Sequence, residues 1–367
     1  MIGLNKITVL IKNLHNGGAQ KVCVTLCNEL IKRNYPVELW MLDYEESSLT
    51  LRLSKDVKII HLQMKQVKNS TFKLIKLFRK QNPSRILIFS IELTILSIFI
   101  KKVFRLKTQI FFRSINTLSQ IFQFPRTSRE KHFTSKLIRV VLPYCDKIIA
   151  QSNGMKHDLI ANFSIDEKKI VVIHNPAVNL SQINKQKTVS PEKEGNYFLF
   201  VGRLMPQKRL DVLINIFENI TKQIPGLQLV IVGEGPEEEK LKALTARLGL
   251  SSSVIFAGFK ENTAEFYQNA KATVLTSLYE GFPNVLVESI AAGTPVVSFD
   301  CPSGPEDIIE PGINGILVPN QDAEAFAKAL ISIATDQIQF QKQNVIETSK
   351  KFSVETVVNQ YEKILVA

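Results

Sequence analysis

The stretch SLYEGFPNVLVESIAAGTPVV, Ser277 to Val297, sets two glutamates, Glu280 and Glu288, on either side of a turn. Two carboxylates at one site work as an acid and base pair or grip the hydroxyls of a polar ligand. Eight positions apart across a turn, these two read as grips on different parts of one extended ligand. Glu280 follows the strand-like ATVLTS, which puts it at a strand's carboxyl end. Gly281 to Asn284 read as a turn, and Val285 to Ala292 as a short helix closed by Gly293 ahead of Pro295. The start of that helix aims backbone N–H groups and the positive end of its dipole into the same space, which suits a diphosphate. Arg203 and Lys208 of FVGRLMPQKRL add two cations, at the end of a strand and the start of the next helix. Arg forks onto phosphate oxygens and Lys supplies a point charge. Together these groups imply a nucleoside diphosphate carrying something at its far end.

Positioning such groups takes strands whose carboxyl ends converge, and the chain supplies them twice. KITVLIKN, VELWML, VKIIHL, RILIFS, TQIFFRS, KIIAQS and KIVVIHNP are short apolar runs separated by helical patterns, among them Ala19 to Arg33 and Thr71 to Gln81. FLFVGRL, LQLVIVGEG, VIFAGF, ATVLTS, PVVSFD and GILVP repeat the plan. Strands apolar on both faces, joined by helical crossovers, predict parallel sheets. The fold class is therefore α/β, with two doubly wound Rossmann-like domains facing across a cleft. Residues 1–176 form the first and residues 197–349 the second. The polar, aperiodic segment 177–196 reads as the linker, and a C-terminal helix over about 350–367 is expected to pack back on the first domain.

The chain has 367 residues, 45% of them hydrophobic and 22% charged, which describes a folded globular protein and opposes a disordered tail or a fibre. Its net charge of +12 is uneven. Residues 1–180 carry 29 Lys plus Arg against 12 Asp plus Glu, whereas residues 181–367 carry 17 against 22. A basic excess attracts nucleic acid, anionic lipid or a phosphorylated substrate and by itself names none of them. Cys23, Cys27, Cys145 and Cys301 include no C-x-x-C pair and read as small apolar residues in a reducing compartment. With Met1 running almost directly into KITVLIKN and no leader pattern, the expected location is the cytoplasm. The apolar run Ile86 to Ile100 falls short of the ~20 residues a spanning helix requires and contains Glu92, so it reads as a buried strand and helix.

The run YEGFPNVLVESIAAGTPVV, with VGRLMPQK, VGEGPEEEKL and the N-terminal NGGAQK, resembles glycosyltransferase family four, retaining sugar-nucleotide transferases of the GT-B fold. That resemblance implies Glu280 on the donor-sugar hydroxyls and Glu288 on the ribose hydroxyls. It also places Gly233 and the backbone of Gly281, Phe282, Pro283, Asn284 and Val285 at the donor, and Arg203 and Lys208 on its pyrophosphate. Glu280, Arg203 and Lys208 are then the catalytic group, the two cations stabilising the charge on the departing phosphate. Gly17 and Gly18, in the first strand-to-helix turn, would let the backbone approach the diphosphate and acceptor. No aspartate cluster accompanies these motifs, so transfer is expected to need neither metal nor cofactor. The chain departs from the family where a histidine usually follows the fifth strand. FFRSINTLS puts Ile115 there, leaving Arg113 or Asn116 to supply the contact.

The expected donor is a UDP-hexose or UDP-N-acetylhexosamine, and the expected acceptor a glycan linked to polyprenyl pyrophosphate, in bacterial surface-polysaccharide synthesis. Basic helical sets, Lys73, Lys76 and Lys80 and then Arg129, His132, Lys136 and Arg139, suit peripheral docking on an anionic inner membrane face. They lack a nucleic-acid-binding motif. Three other readings compete. The named charges can be solvated surface groups. The fold can serve a phosphorylase or a sugar-nucleotide epimerase, or a catalytically silent glycan- or lipid-binding subunit. Gly233 and Gly235 also suggest a dinucleotide fingerprint, but Glu238 stands where its third glycine belongs.

Overall fold

The computed structural model describes residues 6–15, 17–123, 136–177 and 195–366. The chain divides into two compact units, Met1–Pro176 with Val354–Ala367, and Ala177–Ser353. Most of the segment read as a linker lies outside the described residues, as do Arg129 and His132.

In the first unit, β1 (Ile7–Ile11), β2 (Val37–Met41), β3 (Lys58–His61), β4 (Arg85–Ile88), β5 (Gln109–Arg113), β6 (Lys147–Ala150) and β7 (Ile170–Val172) form one sheet. Its order is β3-β2-β1-β4-β5-β6-β7, and every pairing is parallel. Alternate residues of a strand point to opposite faces, and here both faces are covered, which is why the strands read as continuous apolar runs. Val9, Leu39 and Leu87 enter one core with Val22, Leu26 and Leu30 of α1 (Gly18–Lys32). Their neighbours Leu10, Trp40 and Ile88 enter the other with Leu74 and Phe78 of α2 (Thr71–Gln81) and Leu93 and Ile98 of α3 (Ile91–Val103). The apolar run from Ile86 therefore divides into β4 and α3, with Ser90 as N-cap between them, its hydroxyl accepting from the Leu93 N–H. Among the described residues, no helix is long and apolar enough to cross a membrane.

The second unit repeats the plan with β8 (Tyr197–Val201), β9 (Gln228–Val232), β10 (Val254–Gly258), β11 (Ala272–Leu275), β12 (Val296–Phe299) and β13 (Gly315–Val318). The order is β10-β9-β8-β11-β12-β13, again parallel throughout. Sequence order reverses between β8 and β11, so the connections from those two strands pass to opposite faces of the sheet, and the first residues beyond each lie side by side at the carboxyl ends.

The chain returns to the first unit later than about residue 350. Lys350–Phe352 form a 3₁₀ turn that stays with the second unit, where Phe352 packs edge-on against Phe282 at 5.4 Å and accepts from the Ala177 N–H at 3.2 Å. The helix Val354–Val366 then packs on α1. Arg113, at the end of β5, fastens it. Arg113 Nε donates to the Tyr361 hydroxyl at 2.9 Å, Nη2 donates to Asn175 Oδ1, and the guanidinium lies 5.1 Å from the Phe89 ring centroid. Both chain segments that lead out of this unit are thus tied to one buried cation. Further out, Arg33 and Tyr35 hold Glu362 at 2.5 and 2.6 Å.

Hydrogen bonds to a buried charged group contribute about 1.5–3 kcal/mol each. Arg113→Met is expected to lower stability by about 3 kcal/mol and to expose the helix Val354–Val366 to amide hydrogen exchange. Denaturant unfolding and exchange read both, and unchanged protection of that helix would contradict the assignment.

Candidate active site

The site is built in the second unit, where the loops leaving β8 and β11 meet. Beyond β8 the chain runs through Gly202 to a 3₁₀ turn, Pro206–Lys208, and Arg209 then adopts left-handed backbone with φ 49°. That unusual turn is locked from the β11 side. Thr276 Oγ1 donates to the Lys208 carbonyl at 3.0 Å, Leu278 N–H to the Gln207 carbonyl at 2.8 Å, and Gln207 Nε2 to the Tyr279 carbonyl at 2.5 Å. Backbone and short polar side chains therefore fix where Lys208 emerges.

Lys208 Nζ donates to Glu280 Oε1 at 2.6 Å, and Ser277 Oγ donates to the same oxygen at 2.6 Å. The Glu280 side chain is 8% exposed and that of Lys208 17%, so water screens this pair far less than it does a surface ion pair. Glu280 is anchored through its backbone as well, its N–H donating to the Pro302 carbonyl at 3.0 Å. The loop carrying Pro302 packs closely on the turn after Glu280. Gly304, at φ 103°, leaves no room for a side chain, since a Cβ there would lie 2.6 Å from Pro283 Cδ and 3.1 Å from the Gly281 carbonyl oxygen. Cys301 is buried beside this pair, and burial, then the Glu280 charge, pushes its thiol well up.

Gly281, Phe282 and Pro283 are buried, and Asn284 and Val285 half-buried at the start of the helix Asn284–Ala291. The helix begins one residue earlier than the sequence suggests and reaches Ala291, with Gly293 at φ 84° beyond it. Its N-cap is Pro283, whose side chain makes no capping bond, and its positive dipole end lies four residues beyond Glu280 in the chain. Arg203, in the loop after β8, is exposed. Glu288, in the body of the helix, accepts from the Tyr267 hydroxyl at 2.9 Å. Tyr267 is buried, and its phenol is pushed well above the ordinary range by that burial and then by the Glu288 charge.

The remaining sequence candidates are placed differently. Gly233, at φ 141°, faces backbone, because a Cβ there would sit 1.9 Å from the Gly202 carbonyl oxygen. The need for glycine thus comes from packing the loops after β8 and β9 together. Gly17 has extended backbone at φ −176° as the N-cap of α1, and a Cβ would meet only the movable end of Gln20. Gly18 is the first residue of α1. Arg113 is buried, its guanidinium held by Phe89, Tyr361 and Asn175. Asn116 is the half-buried member of that pair, and its carbonyl accepts from Ser114 Oγ at 3.0 Å.

Ser277, Thr276, Gln207 and Tyr267 were not singled out by sequence. Ser277 is within reach of the sequence, three residues before Glu280 in the same stretch. Tyr267 is not, because it comes from a separate helix 21 residues away from Glu288. Among the described residues, no group of three or more His, Cys, Asp or Glu is disposed to hold a metal ion.

A buried acid paired with a lysine, an exposed arginine and a helix start, all at a topological switch point, have the chemistry to meet a polar anionic ligand. Two family models match the chain in succession: Glycosyltransferase Family 4 over residues 16–178 and Glycosyl transferases group 1 over residues 181–352. The chain belongs to glycosyltransferase family four, with the GT-B fold, and is a glycosyltransferase. It is similar to the amylovoran biosynthesis glycosyltransferase AmsD of Erwinia amylovora, 27% identical over 98% of this chain and 99% of that protein. It is also similar to a Campylobacter jejuni enzyme, N-acetylgalactosamine-N,N'-diacetylbacillosaminyl-diphospho-undecaprenol 4-alpha-N-acetylgalactosaminyltransferase, 25% identical over 99% of this chain and 98% of that one. In fold it matches HepE of Anabaena, solved with UDP and glucose, at a TM-score of 0.79 and 20% identity, covering 98% of this chain and 99% of that one.

Proposed function

We propose that the protein moves a hexose or N-acetylhexosamine, with retention at the anomeric carbon, from a UDP-linked donor to a glycan carried on polyprenyl pyrophosphate, in bacterial surface-polysaccharide synthesis. The observation that carries this reading is the Lys208–Glu280 contact of 2.6 Å just ahead of the helix Asn284–Ala291. It joins a carboxylate able to accept from sugar hydroxyls to a cation able to meet the phosphate next to that sugar. Arg203 and the helix start complete the phosphate site, and Glu288 takes the ribose hydroxyls. The acceptor hydroxyl attacks the anomeric carbon from the face the nucleotide leaves. A carbon–oxygen bond to the acceptor forms as the bond to the phosphate oxygen breaks, and the acceptor's proton passes to that phosphate. Lys208, Arg203 and the helix dipole stabilise the charge that develops there, so the reading needs no divalent ion. Support for the acceptor class comes from two Campylobacter jejuni relatives named for transfer to undecaprenol-linked glycans, and for the nucleotide from the UDP in HepE.

The acceptor is assigned to the first unit, which would reach its lipid by peripheral docking at the inner face of the cell membrane. The supporting surface is α2, where Lys73, Lys76, Arg79 and Lys80 are exposed beside Phe72, itself 85% exposed. On α3, Phe99 and Val103 are 58% and 54% exposed, and Lys102 lies over the Tyr144 ring. Cations interleaved with exposed rings match an anionic lipid surface, where each contributes about 1 kcal/mol.

Glu280→Gln and Lys208→Met, chosen to keep side-chain shape, are each expected to lower kcat by on the order of a hundredfold or more, about 3 kcal/mol, with unchanged circular dichroism. EDTA should leave wild-type turnover intact. Full activity in both variants would overturn the site, and loss of turnover in EDTA would overturn metal-independent transfer. In liposome sedimentation at low salt, the protein should follow anionic vesicles over neutral ones; equal recovery with both would remove the membrane assignment.

A further inference from the structure

Glu288 is held by a partner that no sequence motif announces. Tyr267 sits on the short helix Ala264–Asn269, 2% exposed, and donates to Glu288 Oε2 at 2.9 Å. Its ring is packed in a small core with Leu199 of β8, Val230 and Val232 of β9, and Ala292. Its backbone is fixed too, the Tyr267 carbonyl accepting from Thr294 Oγ1 at 2.5 Å. Thr294 is tied in turn to the helix that carries Glu288, since Ser289 Oγ lies 3.0 Å from the Thr294 carbonyl and 2.8 Å from Thr273 Oγ1. The phenol is therefore held against the carboxylate, with the Thr263 side chain as its other hydrogen-bonding neighbour.

A glutamate's terminal torsion is broad, so its two oxygens ordinarily sweep a wide arc. One fixed donor on one oxygen removes that freedom and sets the plane of the whole group. A vicinal diol is recognised by a carboxylate whose plane is set in advance, because ordering it at the moment of binding opposes association. We propose that Tyr267 is a positioning residue that orients Glu288 and thereby sets the preference for a ribose over a deoxyribose nucleotide. The inference rests on the reading of Glu288 as the ribose contact and adds to it the group responsible for selectivity. Phenylalanine at this position keeps the ring in its core and removes only the donor.

The test takes whichever of UDP, GDP and ADP gives the largest thermal shift and compares its Kd with that of its 2′-deoxy form, in wild type, Tyr267→Phe and Glu288→Ala. The wild type should prefer the ribonucleotide, and Tyr267→Phe should reduce that preference about tenfold, the effect of roughly one hydrogen bond. KM for the donor should rise with kcat little changed. A purely structural role for Tyr267 would weaken both nucleotides equally and leave the preference intact, which overturns the inference. If Glu288→Ala abolishes the preference while Tyr267→Phe does not, the ribose reading stands and the positioning role fails. A wild type without preference, or without affinity for any of the three, removes both.

Discussion

A lysine and a glutamate held 2.6 Å apart, with the acid 8% and the base 17% exposed, form the interaction around which the second unit is arranged. Bringing two charges this far out of water is expensive, and their attraction compensates only when the geometry is good and further hydrogen bonds complete it. Ser277 supplies one such bond. Thr276 and Leu278, after β11, bond the Lys208 and Gln207 carbonyls after β8, Gln207 bonds back to the Tyr279 carbonyl, and Pro302, on the loop after β12, holds the Glu280 N–H. A solvated pair would need none of this support. The main chain that carries both side chains is held by these bonds, which marks the place as one where position matters.

The support follows from topology. A parallel sheet whose strand order reverses sends neighbouring loops in opposite directions, and the space between them is open only at the carboxyl ends. In the second unit those neighbours are β8 and β11. Lys208 follows one and Glu280 the other, so their contact joins the two loops at the switch point. The loops after β8 and β9 are pressed together in the same region, with Gly233 admitting the Gly202 carbonyl to a distance no side chain would tolerate. Rigidity on that flank leaves the exposed Arg203 as the adaptable cation of the set.

Much of this was legible in the sequence, and the reason is period and punctuation. Apolar runs bounded by polar turns gave the strands because both faces of each sheet are covered, so residues as close as Val9 and Leu10 are buried in separate cores. Glycine and proline around Glu280 gave the turn, and Gly293 the end of the helix. What escaped depends on contacts between distant segments. Tyr267 meets Glu288 from another helix, and no local pattern distinguishes it from an ordinary core tyrosine. Arg113 likewise meets Tyr361, 248 residues later, a contact that no local pattern announces.

The most direct measurement is a crystal structure with the intact nucleotide sugar, or with UDP where the sugar is turned over. Diphosphate oxygens within hydrogen-bond distance of Lys208 and Arg203, with Glu280 on the sugar side and Glu288 at the ribose, are the expected result. A nucleotide bound elsewhere, with Lys208 and Glu280 still closed on each other, would contradict the assignment of this pair to the transfer.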